Sequence, residues 1–449
     1  MNAKFSHSLR LPLFFLGLLL ALISMQAQAV PSFARQTGLA CSACHTIAPQ
    51  LNAFGRYFKL HGYVLGPEKL SGGSQKLSID QFPPLSVMMI ISNSVTRSAQ
   101  PDSQNGSVQF PQQLSVFYAG AIAQHMGAFS QITYEQPGDH FSIDNTDIRY
   151  ARDLSWGDHT MVWGLTLNNN PTVQDVWNST PAWGFPFISS GVAATPTAAP
   201  LIAGGLAQNV AGLGAYAWLD NTWYGEMSLY RSSQAGVSQP YNSSTTGVIS
   251  GLAPYLRFAW EHPWSTGDGQ SDLEVGAFGL SAHMYPGNGN LLSGPTDDYR
   301  DVGLDSQYQY ITGQNSLALH ATYIHEQQDL NASVAYGLAA NSSNHLNSWN
   351  LDASYYWNET YGPTIGYFNT TGSTDTVLYA PASVFGSATG SPNSNGWVLQ
   401  WTWLPALNVQ ATAQYVIYNK FNGGSNNYDG SGRSATDNNT LYLALWVLW

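Results

Sequence analysis

Hydrophobic and polar residues alternate with a period of two through most of the chain after residue 84. From Leu407 to Gln414 every odd-numbered position is apolar and every even-numbered position is polar, and similar alternation runs through 349–357 and 397–403. Successive side chains of a β-strand point to opposite faces of its sheet. The pattern therefore predicts strands that have one apolar face and one polar face.

Sixteen segments show this alternation. They begin near 84, 110, 127, 140, 157, 207, 221, 252, 270, 297, 315, 345, 360, 395, 406 and 436. Tight turns are predicted at 125–127, 219–221, 312–314, 358–360 and 404–406, and longer loops near 98–109, 170–206, 232–251, 284–296, 330–344, 373–394 and 422–435. Bacterial outer-membrane barrels have an even number of strands, short periplasmic turns and long external loops. We therefore expect both ends of the predicted barrel, and the segment before it, on the periplasmic side or in the lumen.

Aromatic residues concentrate toward the ends of the predicted strands, and the chain stops on an apolar segment, 441–449, whose last residue is Trp449. Outer-membrane barrels carry aromatic girdles at both membrane interfaces. We predict an all-β fold, in which a short, mostly helical segment precedes a 16-stranded outer-membrane β-barrel over 84–449. A barrel of this size has room for a small plug. A soluble two-domain protein with a β-sandwich is the alternative.

The composition fits a membrane barrel better than a soluble enzyme. Charged residues make up 9% of the chain and apolar residues 44%, whereas an ordinary soluble domain has about 25% charged residues. The apolar content excludes a disordered chain. The net charge of -12 disfavours nucleic-acid binding, which needs clustered Lys and Arg. Outer-membrane lipid is the expected surrounding, and a partner attracted by charge is expected to be a cation.

The first 29 residues have the pattern of a secretory signal peptide. Lys4 and Arg10 precede an apolar run over 11–23, and Ala27 and Ala29 occupy the positions that a signal peptidase reads. The alternative is a membrane-spanning helix, but 13 residues give only about 20 Å of helix against a hydrocarbon core of about 30 Å. We therefore expect cleavage after Ala29 and export to the bacterial outer membrane.

The two cysteines of the chain stand in the sequence Cys41-Ser42-Ala43-Cys44-His45. This is the attachment motif of c-type haem, in which two thiols bind the porphyrin covalently and the adjacent histidine ligates the iron. A thioredoxin-like redox pair, half of a zinc site and a structural disulfide are the alternatives. The surrounding sequence has neither the βαβ pattern of the first nor the additional ligands of the second. We predict one covalently bound haem c in a segment that spans 30–78.

The second axial ligand has two candidates. Leu51, Phe54, Phe58 and His61 recur at helical spacing within a predicted helix over 48–62, so that His61 would lie on the face that packs on the porphyrin. A histidine that contacts carbonyls at a helix end is the alternative interpretation of His61. Met88 is the other candidate, because it shares the predicted lumen face with Ser86 and Ser92. A methionine ligand would raise the reduction potential relative to histidine.

These motifs resemble those of a known family. The segments 31–38, 41–45, Phe54-Gly55-Arg56, 58–60 and Gly62-Tyr63 are similar to the beginning of the fused monohaem cytochrome-porins, the outer-membrane iron-oxidising c-type cytochromes. The resemblance implies that Cys41 and Cys44 tether the haem, that His45 ligates it, and that the sixteen-stranded barrel encloses it. It also implies that Fe(II) is the electron donor outside the cell and a periplasmic cytochrome or other carrier the acceptor. It does not assign the second ligand.

Strand parity places more acidic than basic residues on the lumen face. The predicted inward acids are Glu135, Asp147, Glu226, Glu261, Glu274, Asp301, Asp305 and Asp352, and the predicted inward bases are Arg149 and Arg257. Such a lumen would favour the entry of Fe(II) over that of anions. Two alternatives to an iron-oxidising oxidoreductase remain. One is a cytochrome-porin that serves another external donor or acceptor, and the other is a diffusion porin with a haem-bearing plug.

Overall fold

The computed structural model describes residues 31–65, 84–101, 103–136, 138–233, 248–286 and 294–449. The predicted signal peptide, 1–29, lies outside the described residues. The segment predicted over 30–78 is described from residue 31 to residue 65.

The described residues form one antiparallel sheet that closes on itself as a barrel. The sheet has 17 strands. One of them, the two-residue strand Val248–Ile249, pairs only with the last two residues of the strand Gly269–Tyr285. The other sixteen are the predicted wall strands. They are β1 (Leu85–Thr96), β2 (Val108–Ala123), β3 (Met126–Glu135), β4 (His140–Trp156), β5 (His159–Asn168), β6 (Val210–Leu219), β7 (Trp223–Ser232), β8 (Ala253–Thr266), β9 (Gly269–Tyr285), β10 (Asp297–Thr312), β11 (Asn315–Asp329), β12 (Ser343–Tyr356), β13 (Tyr361–Gly372), β14 (Ser394–Ala406), β15 (Val409–Lys420) and β16 (Thr440–Leu448). Strand β16 pairs with β1, with Thr440 opposite Thr96 and Leu448 opposite Met88. This pairing closes the barrel.

The two faces of the wall differ as the alternation predicts. Thr412 and Gln414 are 4% and 1% exposed toward the lumen, whereas Tyr415 is 40% exposed on the outside. Exposed aromatic residues lie near both ends of the wall strands, with Trp156 and Trp223 beside tight turns and Phe110 and Phe141 at the opposite end. A closed barrel with an apolar, aromatic-rimmed outer face and a polar interior is built to span a lipid bilayer. The chain is thus a β-barrel of the bacterial outer membrane.

The connections alternate in length around the barrel, as predicted, with two differences of detail. The turn predicted at 404–406 lies instead at Leu407 and Asn408, because β14 continues to Ala406 and Asn408 adopts a positive φ of 64°. Two further tight turns, at 157–158 and 267–268, each begin with a glycine of positive φ, Gly157 and Gly267. Positive φ is accessible to glycine without steric cost.

The segment before the barrel forms a compact unit, which we call the plug (residues 31–65). It contains helix α1 (Pro31–Thr37), a 3-10 turn (Cys41–Ala43), a hairpin of two short strands (His45–Ile47 and Gln50–Leu51) and helix α2 (Ala53–Leu60). The remaining short elements are an irregular helical turn (Leu201–Gly205), helix α3 (Asn331–Ala335) and a 3-10 turn (Ala435–Asn438). In the described part of the chain, no helix is long and apolar enough to cross a membrane.

The loop between β5 and β6, residues 169–209, folds into the lumen, and we call it the inner loop. Every residue from 170 to 180 is buried. Its Trp177 packs with Leu60 of the plug and with Tyr216 and Tyr224 of the wall in one apolar cluster. The pattern of short and long connections predicts that all long loops lie outside the barrel, and the inward position of this loop corrects that prediction. Its buried polar groups pair with the lumen wall, as in the contact between Ser179 and Asp305, and this pairing makes the inward path tolerable.

Candidate functional site

The motif that carries the predicted chemistry lies in the plug. Cys41 begins the 3-10 turn, and the backbone N–H of Cys44 donates to the carbonyl of Cys41 at 3.1 Å. Both residues are thiols and are partly exposed. His45 follows as the first residue of the hairpin. The turn thus presents two thiols and a histidine on five consecutive residues with a defined backbone, which we call the thiol turn (residues 41–45).

The His45 ring is oriented by the hairpin. Its Nδ1 lies 3.2 Å from the carbonyl oxygen of Gln50, which can accept a hydrogen bond only if Nδ1 carries the proton. Nε2 is then the basic nitrogen, which is the one able to ligate a metal. Burial lowers the pKa of His45 and outweighs the opposing effects of the Gln50 and Pro49 carbonyls. A neutral ring whose other nitrogen is fixed by a carbonyl is the state in which histidine ligates a metal.

The thiol turn fits closely against the beginning of helix α2. A Cβ atom added at Gly55 would lie only 2.2 Å from the carbonyl oxygen of Cys44, so a side chain at this position would displace the turn. The donor set of two thiols and a neutral imidazole matches what haem c requires. Cys41, Cys44 and His45 therefore fit the group that the sequence predicts.

The alternative interpretations of the cysteines fit less well. Burial and the neighbouring Cys41 raise the pKa of Cys44 to about 11, whereas thiols of redox-active pairs have lowered pKa values. A zinc site would need further ligands. Within the described ranges, no group of three or more His, Cys, Asp or Glu side chains could hold a metal ion.

The structure places His61 at the C-terminal end of α2, where both ring nitrogens have partners. Nδ1 lies 2.7 Å from the Tyr57 carbonyl and Nε2 lies 3.0 Å from a carboxylate oxygen of Asp153. To ligate an iron atom, His61 would have to exchange one of these contacts. The arrangement matches the helix-end interpretation, and a role as second ligand stays a prediction.

Met88 lies on β1 and faces the lumen, as the strand parity predicts. It is 5% exposed and packs in an apolar cluster with Ile90, Phe117, Tyr442 and Ala444. Strands β2 and β16 supply three of these residues, and the inner loop adds Ile188 at the edge of the cluster. The thioether is therefore engaged in packing, and its role as the alternative second ligand also stays a prediction.

Helix α2 is shorter than the predicted helix over 48–62, because the hairpin occupies the first part of that segment. The predicted apolar face also divides in two. Phe58 packs against Phe33, with ring centres 5.1 Å apart, whereas Phe54 and Tyr57 are each 38% exposed. The Tyr57 ring stacks on His61 at 3.7 Å. The exposed aromatic face of α2 is thus formed by Phe54, Tyr57 and His61.

Arg56 anchors the plug to the wall. This fully buried guanidinium group lies 2.7 Å from Glu261 and 2.9 Å from Asp272, and it donates to Gln309 at 2.9 Å. Burial alone would lower the pKa of Arg56, but Glu261 and Asp272 outweigh it and raise the value. Arg56 also donates to the Leu51 carbonyl at 3.0 Å, which fixes the hairpin to the same point of the wall.

The plug also binds the inner loop. Lys59 Nζ donates to the carbonyls of Val173 at 2.6 Å and Asp175 at 3.1 Å, and the backbone N–H of Leu51 donates to Asn178 at 2.9 Å. Burial is the main reason why the pKa of Lys59 falls to about 7. The plug and the inner loop therefore meet in the lumen and fill it together.

The lumen carries an excess of acid, as the strand parity predicts. Arg257 lies 2.7 Å from Asp305, 2.9 Å from Glu274 and 3.6 Å from Asp175 of the inner loop. One guanidinium thus faces three carboxylates. The predicted inward residues Asp147, Arg149, Glu226, Glu261 and Asp301 are buried too, and Asp352 contacts His320 at 2.9 Å. Glu135, by contrast, lies exposed near the end of β3.

The comparisons with known proteins concern the barrel. The porin OmpF of Salmonella typhi, solved in complex with daunomycin, is 13% identical over 81% of this chain and 97% of its own, with a TM-score of 0.46. OprB of Pseudomonas putida is 11% identical over 81% and 93%, with a TM-score of 0.45. An anion-selective porin of Comamonas acidovorans is 12% identical over 81% and 97%, with a TM-score of 0.43. Likeness at this level carries no argument about function. No protein-family model and no curated protein matches the chain.

Sequence reasoning missed several residues that shape the site. Asn52 accepts a hydrogen bond from the backbone N–H of Gly55 at 2.9 Å and so caps α2, a role that an asparagine before an apolar helical pattern could have suggested. Asp272 lies on the same face of β9 as Glu274, so strand parity could have identified it as an inward residue. Asp175 and Asn178 gave no local signal, because their importance follows from the inward path of the inner loop.

Proposed function

We propose that this protein carries electrons across the outer membrane, from Fe(II) outside the cell to a periplasmic acceptor, through one haem c held in the plug. The chain is an outer-membrane barrel with a filled lumen. The observation that carries the proposal is the position of the thiol turn. It belongs to a unit that is anchored inside the barrel through the buried contacts of Arg56 with Glu261 and Asp272.

The residues of the plug would hold the cofactor as follows. Cys41 and Cys44 would form the covalent bonds, and His45 would supply Nε2 to the iron while its Nδ1–H donates to the Gln50 carbonyl. When bound, haem c supplies an iron centre that takes up and releases a single electron. The apolar cluster around Leu60 and Trp177 excludes water from the lumen beside the plug.

The acidic lumen supports a cation as the donor. Carboxylates outnumber the guanidinium group around Arg257, and carboxylates that are ionised attract Fe(II) rather than anions. In the overall reaction each Fe(II) becomes Fe(III) outside, and one electron reaches the periplasmic carrier. The ferric product is thereby kept out of the periplasm.

The filled lumen favours electron transfer over solute diffusion. Lys59 bonds the plug to the inner loop, and both occupy the space through which a solute would pass. An oxidoreductase of the Fe(II):cytochrome type needs no open channel, whereas a diffusion porin does.

The test is rapid mixing of the oxidised protein in detergent with Fe(II), at acidic and at neutral pH, followed by optical absorption. We expect growth of reduced c-type haem bands. A Cys41→Ala/Cys44→Ala variant is the control and should show no such bands. The proposal fails if dithionite reduces the haem of the wild-type protein but Fe(II) does not at either pH.

A further inference from the structure

One residue outside the cysteine motif contacts most of the thiol turn. The side-chain Nδ2 of Asn52 donates to the carbonyls of Ser42 and Ala43, each at 3.1 Å. Its backbone N–H donates to the carbonyl of Cys44 at 2.9 Å. Asn52 therefore donates hydrogen bonds to all three consecutive carbonyls between Cys41 and His45.

The same residue joins the turn to the anchored helix. Oδ1 of Asn52 accepts from the backbone N–H of Gly55 at 2.9 Å, and its carbonyl accepts from the backbone N–H of Arg56 at 2.9 Å. Arg56 in turn binds Glu261 and Asp272 of the wall. A continuous set of contacts thus runs from the thiol turn through Asn52 to the barrel.

We propose that Asn52 is a positioning residue, which holds the thiol turn against the N-terminus of α2 so that the two thiols and His45 are presented as one preformed unit. The inference rests on the proposed haem attachment but not on Fe(II) as donor. Gly55 complements this role, because a side chain there would strike the Cys44 carbonyl. Preorganisation of this kind reduces the conformational freedom that must be lost when a ligand set forms.

Two substitutions separate this role from helix capping. Asn52→Asp keeps the size of the side chain and the acceptor for Gly55, since aspartate and asparagine cap helices equally well. It replaces the donor that serves Ser42 and Ala43 with a carboxylate oxygen. Asn52→Ser also keeps a capping oxygen but adds no charge. Both variants therefore lose the two side-chain contacts to Ser42 and Ala43, while the backbone contact to Cys44 and the helix cap remain.

The experiment measures covalent haem per chain by pyridine haemochrome absorbance, the midpoint potential by redox titration, and the low-temperature EPR spectrum of the oxidised protein. Loss of two hydrogen bonds is expected to lower the fraction of chains with attached haem by about ten-fold in Asn52→Asp. A smaller loss is expected in Asn52→Ser. In both variants the residual haem should show a shifted potential and altered EPR g-values, while the barrel melts at the wild-type temperature.

The inference is overturned if both variants match the wild type in haem content, potential and g-values, because capping would then be the only role of Asn52. If the wild-type protein itself carries no covalent haem, both the proposed function and this inference fail. If wild-type haem is present but Fe(II) does not reduce it, only the proposed donor fails. Defective variants would still support the positioning role in that case.

Discussion

Two arginines show how differently the plug and the rim of the barrel wall hold their charge. Arg56, in the plug, is fully buried and lies 2.7 Å from Glu261 and 2.9 Å from Asp272. Arg300, on β10, has a side chain that is 57% exposed and lies 3.4 Å from Asp329 of the neighbouring strand. Arg56 and Glu261 are 205 positions apart in the chain, whereas Arg300 and Asp329 lie on adjacent strands of the wall.

Different forces place the wall and the plug. The wall is fixed by continuous backbone pairing between neighbours, such as β10 and β11 from Asp298 opposite Asp329 to Thr312 opposite Asn315. Its rim charges remain solvated and contribute little. The plug shares no strand pairing with the wall, so buried side-chain contacts decide where it sits. Removing one partner of such a contact leaves an uncompensated charge, which is costly.

The largest change is expected when the two haem-attachment residues of the plug are removed and the wall is left intact. Cys41→Ala/Cys44→Ala removes both attachment points and should abolish covalent haem, because neither thioether bond can form. The barrel should assemble normally, since its strands do not depend on these residues. Haem staining of a denaturing gel, alongside heat-modifiable migration of the barrel, checks both statements. Haem that stays attached in the double variant would contradict the assignment of the thiol turn.

The second largest effect is expected from a substitution that weakens the docking of the plug on the wall. Arg56→Met removes the buried cation and leaves Glu261 and Asp272 unpaired, which typically costs about 3–5 kcal/mol. We expect the plug to leave its docked position and ionic conductance through reconstituted barrels to rise. Planar-bilayer recordings measure the conductance, and limited proteolysis measures the protection of the plug. Unchanged conductance and protection would show that Arg56 does not anchor the plug.

A pH dependence tests the contact between plug and inner loop. Burial lowers the pKa of Lys59 to about 7 from an ordinary value of 10.5. Below pH 7 the side chain is charged in both the docked and the undocked state, so its contribution is constant. Between the two values only the undocked state holds the proton, so rising pH favours docking, by at most about 1.4 kcal/mol per pH unit.

Thermal unfolding of the wild type and of Lys59→Met, each from pH 6 to pH 10, isolates this contribution from that of other groups. The stability of the wild type relative to the variant should be constant below about pH 7 and should rise above it. A relative stability that falls with pH, or that does not change, would contradict the buried position of Lys59.

The smallest expected effect concerns the rim of the wall. Arg300→Gln removes an exposed pair with Asp329 and should change stability by less than about 1 kcal/mol. Conductance should not change, because Arg300 does not contact the plug. This variant is the matched control for Arg56→Met, and an equal effect of the two substitutions would erase the distinction between plug and wall.

The wall could be predicted from the sequence because its information is local. Alternation fixes which face each residue occupies, and turn residues mark the ends of strands, so all sixteen strands and the inward position of Met88 followed from the sequence. The end of β14 was misplaced by Pro405, which suggests a turn although the strand continues to Ala406.

The surroundings of the thiol turn could be predicted only in part. Its five residues are recognisable by themselves, since the chemistry of haem attachment demands that order. The contacts of Arg56 with Glu261 and Asp272, and the entry of Asp175 into the lumen, depend on residues far apart in sequence. No local pattern encodes them. Trp177 and Trp183 of the inner loop are large, largely apolar side chains that are buried on average, and they are a hint that the loop does not lie in solvent.

The most direct test of the central claim uses vesicles in which the protein is the only path across the bilayer. The vesicles enclose ferricyanide in one preparation and an iron-chelating dye in another, and Fe(II) is added outside at near-neutral pH. We expect that enclosed ferricyanide is reduced while the enclosed dye stays uncoloured, and that Cys41→Ala/Cys44→Ala abolishes the reduction. Reduction that always accompanies entry of iron to the dye, or no reduction at all, would contradict it.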